Sequence, residues 1–320
     1  MRSFTNKLRA WRDQARRGVA IFLFDKKLRS EGDFQEAILF VRWDGKLGDT
    51  VVLSWAWRAL KTHRPDLKMW IITGSGFYDL FDHTYGFDKV ISAPSRPRLP
   101  SLFQMAKQLK RPRYVVHLSQ FMKARDLIFL RLLDPAHVAG LDDAIKCVDI
   151  KLGKPTKGLH FSEKLVPLLD GLSVPTNDRQ YWLPFDKTAA RKVSAYWPSE
   201  VVIGFCPNGA SKHRCFSDDK IVKTVRALLS DGDKRGLAIR IFLIVTSDQK
   251  QRVSRLIEAH GLSNHVFFEP TRNLAELIEQ VRACAGVISV DTGIVHVASG
   301  LNKPLLAFYH PPDYSAVISL

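Results

Sequence analysis

An acid, a hydroxyl, a glycine and an imidazole lie within six residues of one another near the end of the sequence. They are Asp291, Thr292, Gly293 and His296, and the apolar residues 286–290 precede them. When an apolar strand turns into a helix through such a run, the backbone N–H groups of the first helical turn can bind a phosphate group. His296 lies one turn beyond Gly293, so we expect it to face the same ligand rather than to pack as a core histidine.

A second candidate binding loop follows the apolar residues 201–205. It consists of Asn208, Gly209, Ala210, Ser211, Lys212 and Arg214. Small side chains leave backbone N–H groups accessible to phosphate oxygens, and Lys212 and Arg214 add positive charge. Ser217 is typical of the residue that caps the helix that follows. The pattern favours a diphosphate site over a simple basic turn.

Asp49 is the candidate catalytic residue. It ends a glycine-containing loop, residues 42–49, which follows the apolar residues 37–41. A carboxylate at the carboxyl end of a strand can take the proton from an attacking hydroxyl group. Arg42 and Lys46 add positive charge beside it. The alternative interpretation is that Asp49 only caps the helix that follows.

Two parallel sheets are needed to position these motifs. Short apolar runs alternate with helical stretches over residues 37–133 and again over 201–308, which is typical of parallel sheets with helices on both faces. Residues 172–184, rich in Pro, Asn and Asp, are predicted as a linker. We therefore expect Rossmann-like domains over residues 37–175 and 185–320, facing each other across a cleft at the carboxyl ends of their strands.

The net charge and the cysteine spacing restrict which ligands or partners the protein can bind. The chain has 320 residues and a formal net charge of +16, which demands an anionic partner. No recognition helix or paired strand aromatics are evident, so a nucleic acid is not expected. The four cysteines have neither zinc-site nor disulfide spacing. Without a secretory signal or an apolar run of about 18 residues, cytoplasmic residence is expected.

Residues 1–36 are predicted as a basic amphipathic extension. Between residues 2 and 29, nine Lys or Arg stand against two Asp. The apolar residues Phe4, Leu8, Trp11 and Ala15 recur between them at helical spacing. Such a helix can lie on an anionic membrane surface, which residues 1–30 would contact. A solvated extension, or a helix packed on the core through Trp11, are the alternatives.

The three motifs, in this order, resemble those of glycosyltransferase family 9, the ADP-heptose:lipopolysaccharide heptosyltransferases. The most specific block comprises Asp291-Thr292-Gly293, His296, Ala298 and Lys303-Pro304. The first block comprises Val41-Arg42, Asp44 and Gly48-Asp49, and the weakest runs from Pro207 to Asp218. The resemblance covers residues 37–312.

The resemblance implies a GT-B fold and the inverting transfer of heptose from ADP-heptose to the lipopolysaccharide inner core. It makes Asp49 the catalytic base and Arg214 the residue that neutralises the leaving diphosphate. It assigns nucleotide-sugar contacts to Asp291, Thr292, Gly293 and His296. It makes Lys123 an acceptor contact, beside Arg42 and Lys46. No convincing Asp-x-Asp pair occurs in a loop, so we expect neither a catalytic metal nor a cofactor.

Three departures from the family pattern keep other interpretations open. Phe216 and Ser217 stand where Trp and Pro are usual. Residues 246–249, Thr-Ser-Asp-Gln, stand where relatives often carry Gly and a Glu near the nucleotide, so a UDP- or GDP-sugar donor is the alternative. The chain ends at Leu320, soon after the last block, so either the sequence is shortened or the C-terminal domain is trimmed.

A non-catalytic scaffold at a membrane, with a decayed transferase fold, is the interpretation from a different class. The basic N-terminal segment favours it, whereas the intact Asp49, Asp291 and His296 argue against it. As an enzyme, the protein would work peripherally on the inner face of the bacterial inner membrane.

Overall fold

The chain folds into two α/β units, each built around a parallel sheet. This computed structural model describes residues 2–28, 31–43, 45–109, 111–269 and 273–309, without the side chains of residues 2–11. Of these residues, the first unit holds those up to Gly45 and Trp55–Arg179. The second unit holds Lys46–Ser54 and the residues from Gln180 onward.

The first unit contains a six-stranded parallel sheet with the order β3-β2-β1-β4-β5-β6. Its strands are β1 (Gln35–Val41), β2 (Lys68–Thr73), β3 (Lys89–Ser92), β4 (Pro112–His117), β5 (His137–Gly140) and β6 (Ile150–Lys151). The last five residues of β1 are buried without alternation, as expected for a strand covered on both faces. This strand order is that of a Rossmann fold, and its winding reverses between β1 and β4.

Helices cover both faces of the first sheet. They are α1 (Arg2–Phe24), α2 (Leu47–His63), α3 (Leu99–Leu109), α4 (Ala124–Leu133) and α5 (Val166–Gly171). One face packs against α1, α3 and α4. On the other, Trp57 of α2 packs edge-on against Phe40, Phe81, Tyr85 and Phe87. Aromatic side chains bury large apolar areas, so this cluster fixes α2 on the sheet.

The C-terminal half of α1 is part of the first unit rather than a separate extension. Ala20 is buried, and Ile21 and Phe24 pack against the core. Arg17 bonds Asp142 through Nη2 at 2.7 Å. The predicted extension over residues 1–36 therefore differs from the structure, because the helix has an apolar inner face of its own. Phe4, Leu8 and Trp11 lie outside the described side chains. No helix in the described part of the chain is long and apolar enough to cross a membrane.

The second unit contains a five-stranded parallel sheet with the order β11-β10-β7-β8-β9. Its strands are β7 (Val201–Cys206), β8 (Ile239–Leu243), β9 (Val266–Phe267), β10 (Gly286–Val290) and β11 (Leu305–Phe308). Its helices are α6 (Lys187–Ser194), α7 (Asp218–Lys234), α8 (Ser247–Ala259), α9 (Leu274–Ala283) and α10 (Gly293–Gly300). Here the winding reverses between β7 and β10, which is where ligands bind in sheets of this kind.

The division of the chain differs from a simple split into halves. The change of unit between Arg179 and Gln180 falls inside the predicted linker, residues 172–184. The first two turns of α2, however, belong to the second unit. Within that unit, Ser54 Oγ accepts a hydrogen bond of 2.7 Å from the backbone N–H of Trp182.

Candidate active site

The residues predicted to bind the nucleotide sugar lie on neighbouring loops of the second sheet. β7 and β10 are paired strands, so the loops after them start side by side. The loop after β7 carries Asn208, Gly209, Ala210, Ser211, Lys212 and Arg214. The loop after β10 carries Asp291 and Thr292, and α10 carries Gly293 and His296. The structure therefore brings both predicted motifs to the point where the winding of this sheet reverses.

An ion pair joins the two loops. Nη1 of Arg214 lies 2.9 Å from Oδ2 of Asp291, and both side chains are partly exposed, at 34% and 20%. Partly exposed ion pairs stabilise a fold by about 1 kcal/mol or less, so the main effect of this pair is to position the two side chains. A guanidinium has five N–H donors, more than one carboxylate needs, and it suits phosphate oxygens.

The loop after β7 is closed by its own backbone hydrogen bonds. The N–H of Gly209 donates to the carbonyl of Arg214 at 3.0 Å, and that of Phe216 donates to Pro207 at 2.8 Å. Residues 212–214 form one 3-10 turn that leaves Lys212 exposed. A Cβ at Gly209 would lie 2.6 Å from Cβ of Arg214, so this loop requires glycine at that position. The loop thereby fixes the backbone from which Arg214 projects.

Asn208 carries a buried polar atom with no hydrogen-bond partner in the described part of the chain. Oδ1 of Asn208 is that atom. Leaving such a group unpaired costs about 1–3 kcal/mol, and a ligand that supplies a donor would remove this cost. Asn208 therefore has the property expected of a side chain that binds a ligand.

Cys206, at the end of β7, is no candidate nucleophile. Burial raises the pKa of its thiol, although hydrogen bonds with Thr292 and Ser289 oppose this shift. A thiol that stays protonated is a poor nucleophile. All four cysteines of the chain are free, as predicted.

Thr292 caps α10. Its Oγ1 accepts a hydrogen bond of 3.2 Å from the backbone N–H of Ile294 and lies 3.3 Å from Oγ of Ser289. The first turn of a helix carries a partial positive charge and N–H groups without intrahelical partners. The start of α10 beside the Arg214–Asp291 pair is therefore suited to an anionic group.

The first turn of α2 packs against the first turn of α10 within the second unit. A Cβ at Gly48 would lie 2.9 Å from Cδ2 of His296, and a Cβ at Gly293 would lie 3.0 Å from the backbone N of Gly48. This approach requires glycine on both helices. Asp49 follows Gly48 and is half-buried. Because α2 begins at Leu47, Asp49 lies inside the first turn, and its interpretation as the N-cap is wrong.

Two tyrosines beside these residues were missed by the sequence analysis. The ring of Tyr181 meets that of His296 edge-on, with centroids 6.2 Å apart. The pKa of Tyr309 is raised by burial and then by the negative charge of Asp291. Burial also raises the pKa of Tyr181. Both hydroxyls are therefore protonated at neutral pH and available as donors. The one sequence signal for either tyrosine is the position of Tyr309 directly after the apolar residues of β11.

The three predicted acceptor contacts occupy different places. Arg42 follows β1 in the first unit, is only 7% exposed and lies over Phe161 with a guanidinium-to-ring distance of 6.0 Å. Lys123 is the exposed N-cap residue of α4, also in the first unit. Lys46 is exposed, belongs to the second unit and accepts a hydrogen bond from Thr50 at its carbonyl. Asp44, from the first motif, lies outside the described residues.

A buried acid at the switch point of the first sheet was also missed. Nε1 of Trp43 donates to Oδ1 of Asp126 at 2.8 Å, and the N–H of Lys123 donates to Oδ2 at 2.7 Å. Burial alone would raise the pKa of Asp126. The nearby imidazole of His117, the Lys123 N–H and the charge of Arg125 outweigh burial and lower the pKa to about 2. Asp126 thus holds together the loops after β1 and β4 as an anion.

We predict that Asp126→Asn destabilises the fold at neutral pH and that the loss becomes smaller in acid. The folded pKa lies below the ordinary value of 3.8, so the ion stabilises the protein above pH 4 by about 2 kcal/mol and this is lost as the pH falls towards 2. Urea unfolding at pH 7 and pH 3 measures it. Asp231→Asn, an exposed ion-paired acid, is the control. Parallel pH profiles for wild type and Asp126→Asn would contradict this assignment.

Comparison with known proteins identifies the family. Residues 154–317, about half of the chain, match glycosyltransferase family 9 (heptosyltransferase). Lipooligosaccharide heptosyltransferase 2 of Haemophilus influenzae is 37% identical over 175 residues, which are 50% of this chain and 47% of that protein. The chain thus spans about half the length of the curated relative that it matches.

Solved structures share the fold. A family 9 glycosyltransferase from Veillonella parvula superposes with a TM-score of 0.71 at 14% identity, over 88% of this chain and 84% of that one. The ADP-heptose LPS heptosyltransferase II of E. coli gives 0.69 at 15% identity, over 85% and 84%. With two Rossmann-like sheets, the fold class is GT-B, as the sequence predicted. The match over half of its length shows that this chain belongs to glycosyltransferase family 9, the heptosyltransferase family.

Proposed function

We propose that this protein is an inverting glycosyltransferase that moves heptose from ADP-heptose to the lipopolysaccharide inner core. One observation carries the proposal: the turn that holds Asp49 packs through Gly48 on Gly293 and His296, beside the Arg214–Asp291 pair. The proposed base and the proposed diphosphate site are thus on adjoining turns of the second unit. The similar proteins described above, named as heptosyltransferases, support heptose as the transferred sugar.

Asp49 is the proposed general base. Inverting transfer proceeds by a single displacement, in which the acceptor oxygen forms a bond to the anomeric carbon while the bond to the diphosphate breaks. Asp49 takes the proton of the acceptor hydroxyl as that bond forms. Transfer with retention of configuration, read from the product by NMR, would refute this role.

The departing diphosphate is stabilised by charge and by backbone donors. Arg214 and Lys212 supply cations, and the first turn of α10 supplies N–H groups. Asn208, Gly209, Ala210 and Ser211 line the same loop, and Asp291, Thr292, Gly293 and His296 contact the nucleotide sugar. These groups would carry the leaving-group charge without a metal ion. We assign Arg42, Lys46 and Lys123 to the acceptor.

The acceptor and the place of action follow from the same family. The proposed acceptor is the lipopolysaccharide inner core or a lipid-linked sugar, and the proposed location is the inner face of the bacterial inner membrane. The net charge of +16 suits phosphorylated acceptors and anionic lipids. The direct test incubates the protein with ADP-heptose and a heptose-free core acceptor and follows ADP release and the mass of the product.

Nucleotide identity is tested separately, because residues 246–249 leave UDP- or GDP-sugars as the second candidate donors. We expect ADP to stabilise the protein against thermal unfolding by about 2.7 kcal/mol at one hundred times its dissociation constant. UDP and GDP at equal concentration should have no comparable effect. Stabilisation by UDP or GDP alone would show that the donor is a different nucleotide sugar, and the assignment as a glycosyltransferase would stand. No stabilisation by any nucleotide, together with no turnover, would favour the non-catalytic scaffold.

A further inference from the structure

Exposed apolar side chains are concentrated on one face of the first unit. Of the eight large apolar side chains that the structure describes as exposed in this unit, six lie on or beside the helices that cover one face of its sheet. They are Val19, Phe22 and Leu23 on α1, Leu99 and Phe103 on α3, and Phe121 in the loop before α4. We call this set the apolar face. Single exposed apolar residues are common, but a concentration of this kind marks an interaction site.

On α1, the apolar face belongs to a regular outward stripe. Val19, Phe22 and Leu23 follow one another at helical spacing, and Phe22 is 85% exposed. The stripe begins at Arg12 and Arg16, and Lys26 and Lys27 follow just after the end of the helix; all four are exposed. Residues three, four and seven apart share one side of a helix, so the stripe is apolar in the middle and basic at both ends.

The opposite side of α1 is occupied. Ala20 is buried, and Ile21 and Phe24 pack on the core, while Arg17 is held by Asp142 and lies 4.2 Å over the ring of Phe121. The helix is therefore held in one rotational orientation, with Phe22 and Leu23 pointing away from the unit. This excludes the core of the first unit as the partner of the apolar stripe.

The same composition recurs on α3. Leu99 and Phe103 are more than half exposed, and the exposed cations Arg96, Arg98 and Lys107 surround them. α4 contacts both α1 and α3 on the same side of the sheet. The two apolar stripes therefore lie on helices that share α4 as a neighbour. They thus form two contact lines on one side of the unit.

The charge around the apolar face is almost purely positive. Residues 89–125 contain nine Lys or Arg and no acid. On the described part of α1 the one acid is Asp13, which is paired with Arg12, and Asp25, directly after the helix, is buried. Cations on both sides of apolar side chains match an anionic bilayer, whose phosphates lie next to its acyl chains.

We propose that the apolar face is a membrane-docking surface for an anionic phospholipid bilayer, in which α1 and α3 both lie flat. The inference goes beyond a basic N-terminal segment, because it assigns the contact to Phe22 and Phe103 on two separate helices and excludes the inner side of α1. It rests on the proposed function only for the identity of the membrane. The binding itself is independent of catalysis.

The test is sedimentation of the full-length protein with vesicles of phosphatidylglycerol and phosphatidylethanolamine, compared with vesicles of phosphatidylcholine. We expect binding to the anionic vesicles only. Phe22→Ser and Phe103→Ser should each weaken it by about tenfold, since each removes an aromatic side chain that the bilayer would bury, and the double variant by more. Lys26→Glu with Lys27→Glu should weaken it by about fivefold per charge. Leu159→Ser, on an exposed apolar residue of the first unit outside this face, is the control.

Two outcomes would overturn the proposal. One is a Phe22→Ser/Phe103→Ser variant that binds anionic vesicles as tightly as Leu159→Ser. The other is a lipid-free dimer, seen by light scattering, that the double variant dissociates while no variant binds vesicles, which would make the face a contact between two copies. Transfer to a short lipid-free acceptor should be unchanged in the double variant. If the wild type also shows no transfer, the proposed function is refuted, whereas the conclusion from vesicle binding is unaffected.

Discussion

Asp49→Asn is expected to lower kcat for sugar transfer by about 10²–10⁴-fold while binding of ADP stays nearly unchanged. The amide keeps the shape of the side chain and removes its ability to accept a proton. The first turn of α2 is held on α10 by the Gly48–Gly293 approach, so the geometry of the turn should survive the substitution. Steady-state turnover and calorimetric titration with ADP measure the two quantities.

Asp219→Asn is the matched control, because Asp219 also lies in the first turn of a helix of the second unit and is 70% exposed. A general effect of removing an acid from a helix N-terminus would appear in both variants, and it is worth about 1 kcal/mol or less. Normal turnover in Asp49→Asn, or an equal loss in Asp219→Asn, would remove Asp49 from the chemistry.

Gly209→Ala is expected to lower kcat/KM for the donor by about 10²-fold, the effect of a displacement of about 1 Å at a binding group. The added methyl group would lie 2.6 Å from Cβ and 2.7 Å from the carbonyl oxygen of Arg214. Backbone atoms cannot rotate aside as a flexible side chain can. The turn must therefore open, which breaks its Gly209–Arg214 hydrogen bond and moves Arg214 away from Asp291.

A second glycine provides the comparison for Gly209→Ala. Gly171 ends α5, and an added Cβ there would meet nothing within 4 Å. Gly171→Ala should therefore keep wild-type kinetics and wild-type affinity for ADP. If Gly209→Ala binds ADP as tightly as Gly171→Ala does, the loop after β7 does not hold the diphosphate.

The apolar runs of the sequence were sufficient to predict most of the sheet. The apolar residues 37–41, 201–205 and 286–290, which precede the predicted motifs, lie in β1, β7 and β10, and the bounds differ by at most two residues. These strands are buried or backed by neighbouring strands, and burial produces the continuous apolar signal. The two-residue strand β6 and the helix α6 lie in stretches that were not assigned, because short elements carry too few residues for a period to show.

The loops at the strand ends were located correctly, but the contacts that fix them were not predicted. Nothing in the local sequence indicates that Gly48 lies against His296, since 248 residues separate them and each glycine alone only signals a turn. Asp126 appears in sequence as an ordinary acid in a first helical turn. Its hydrogen bond from Trp43, 83 residues away, depends on strands β1 and β4 being neighbours.

The helix predicted near the N-terminus is present as α1, but it belongs to the first unit rather than to a separate extension. Its basic and apolar residues were counted together as one extension, although a helix has two sides with different surroundings. Ala20 and Phe24 face the core, while Val19 and Leu23, their immediate neighbours, are exposed. Only the position of α1 beside α4 decides which apolar residues are left for a partner.

The nine residues Lys46–Ser54 belong to the second unit although they lie far from it in sequence. Ser54 binds the N–H of Trp182, and Gly48 occupies space that any larger residue would take from His296. A gene cut at residue 180 would therefore yield a C-terminal fragment whose α10 has lost its neighbour. A chimera made with a relative faces the same restriction, because a foreign N-terminal half must supply a matching Gly48 and Ser54.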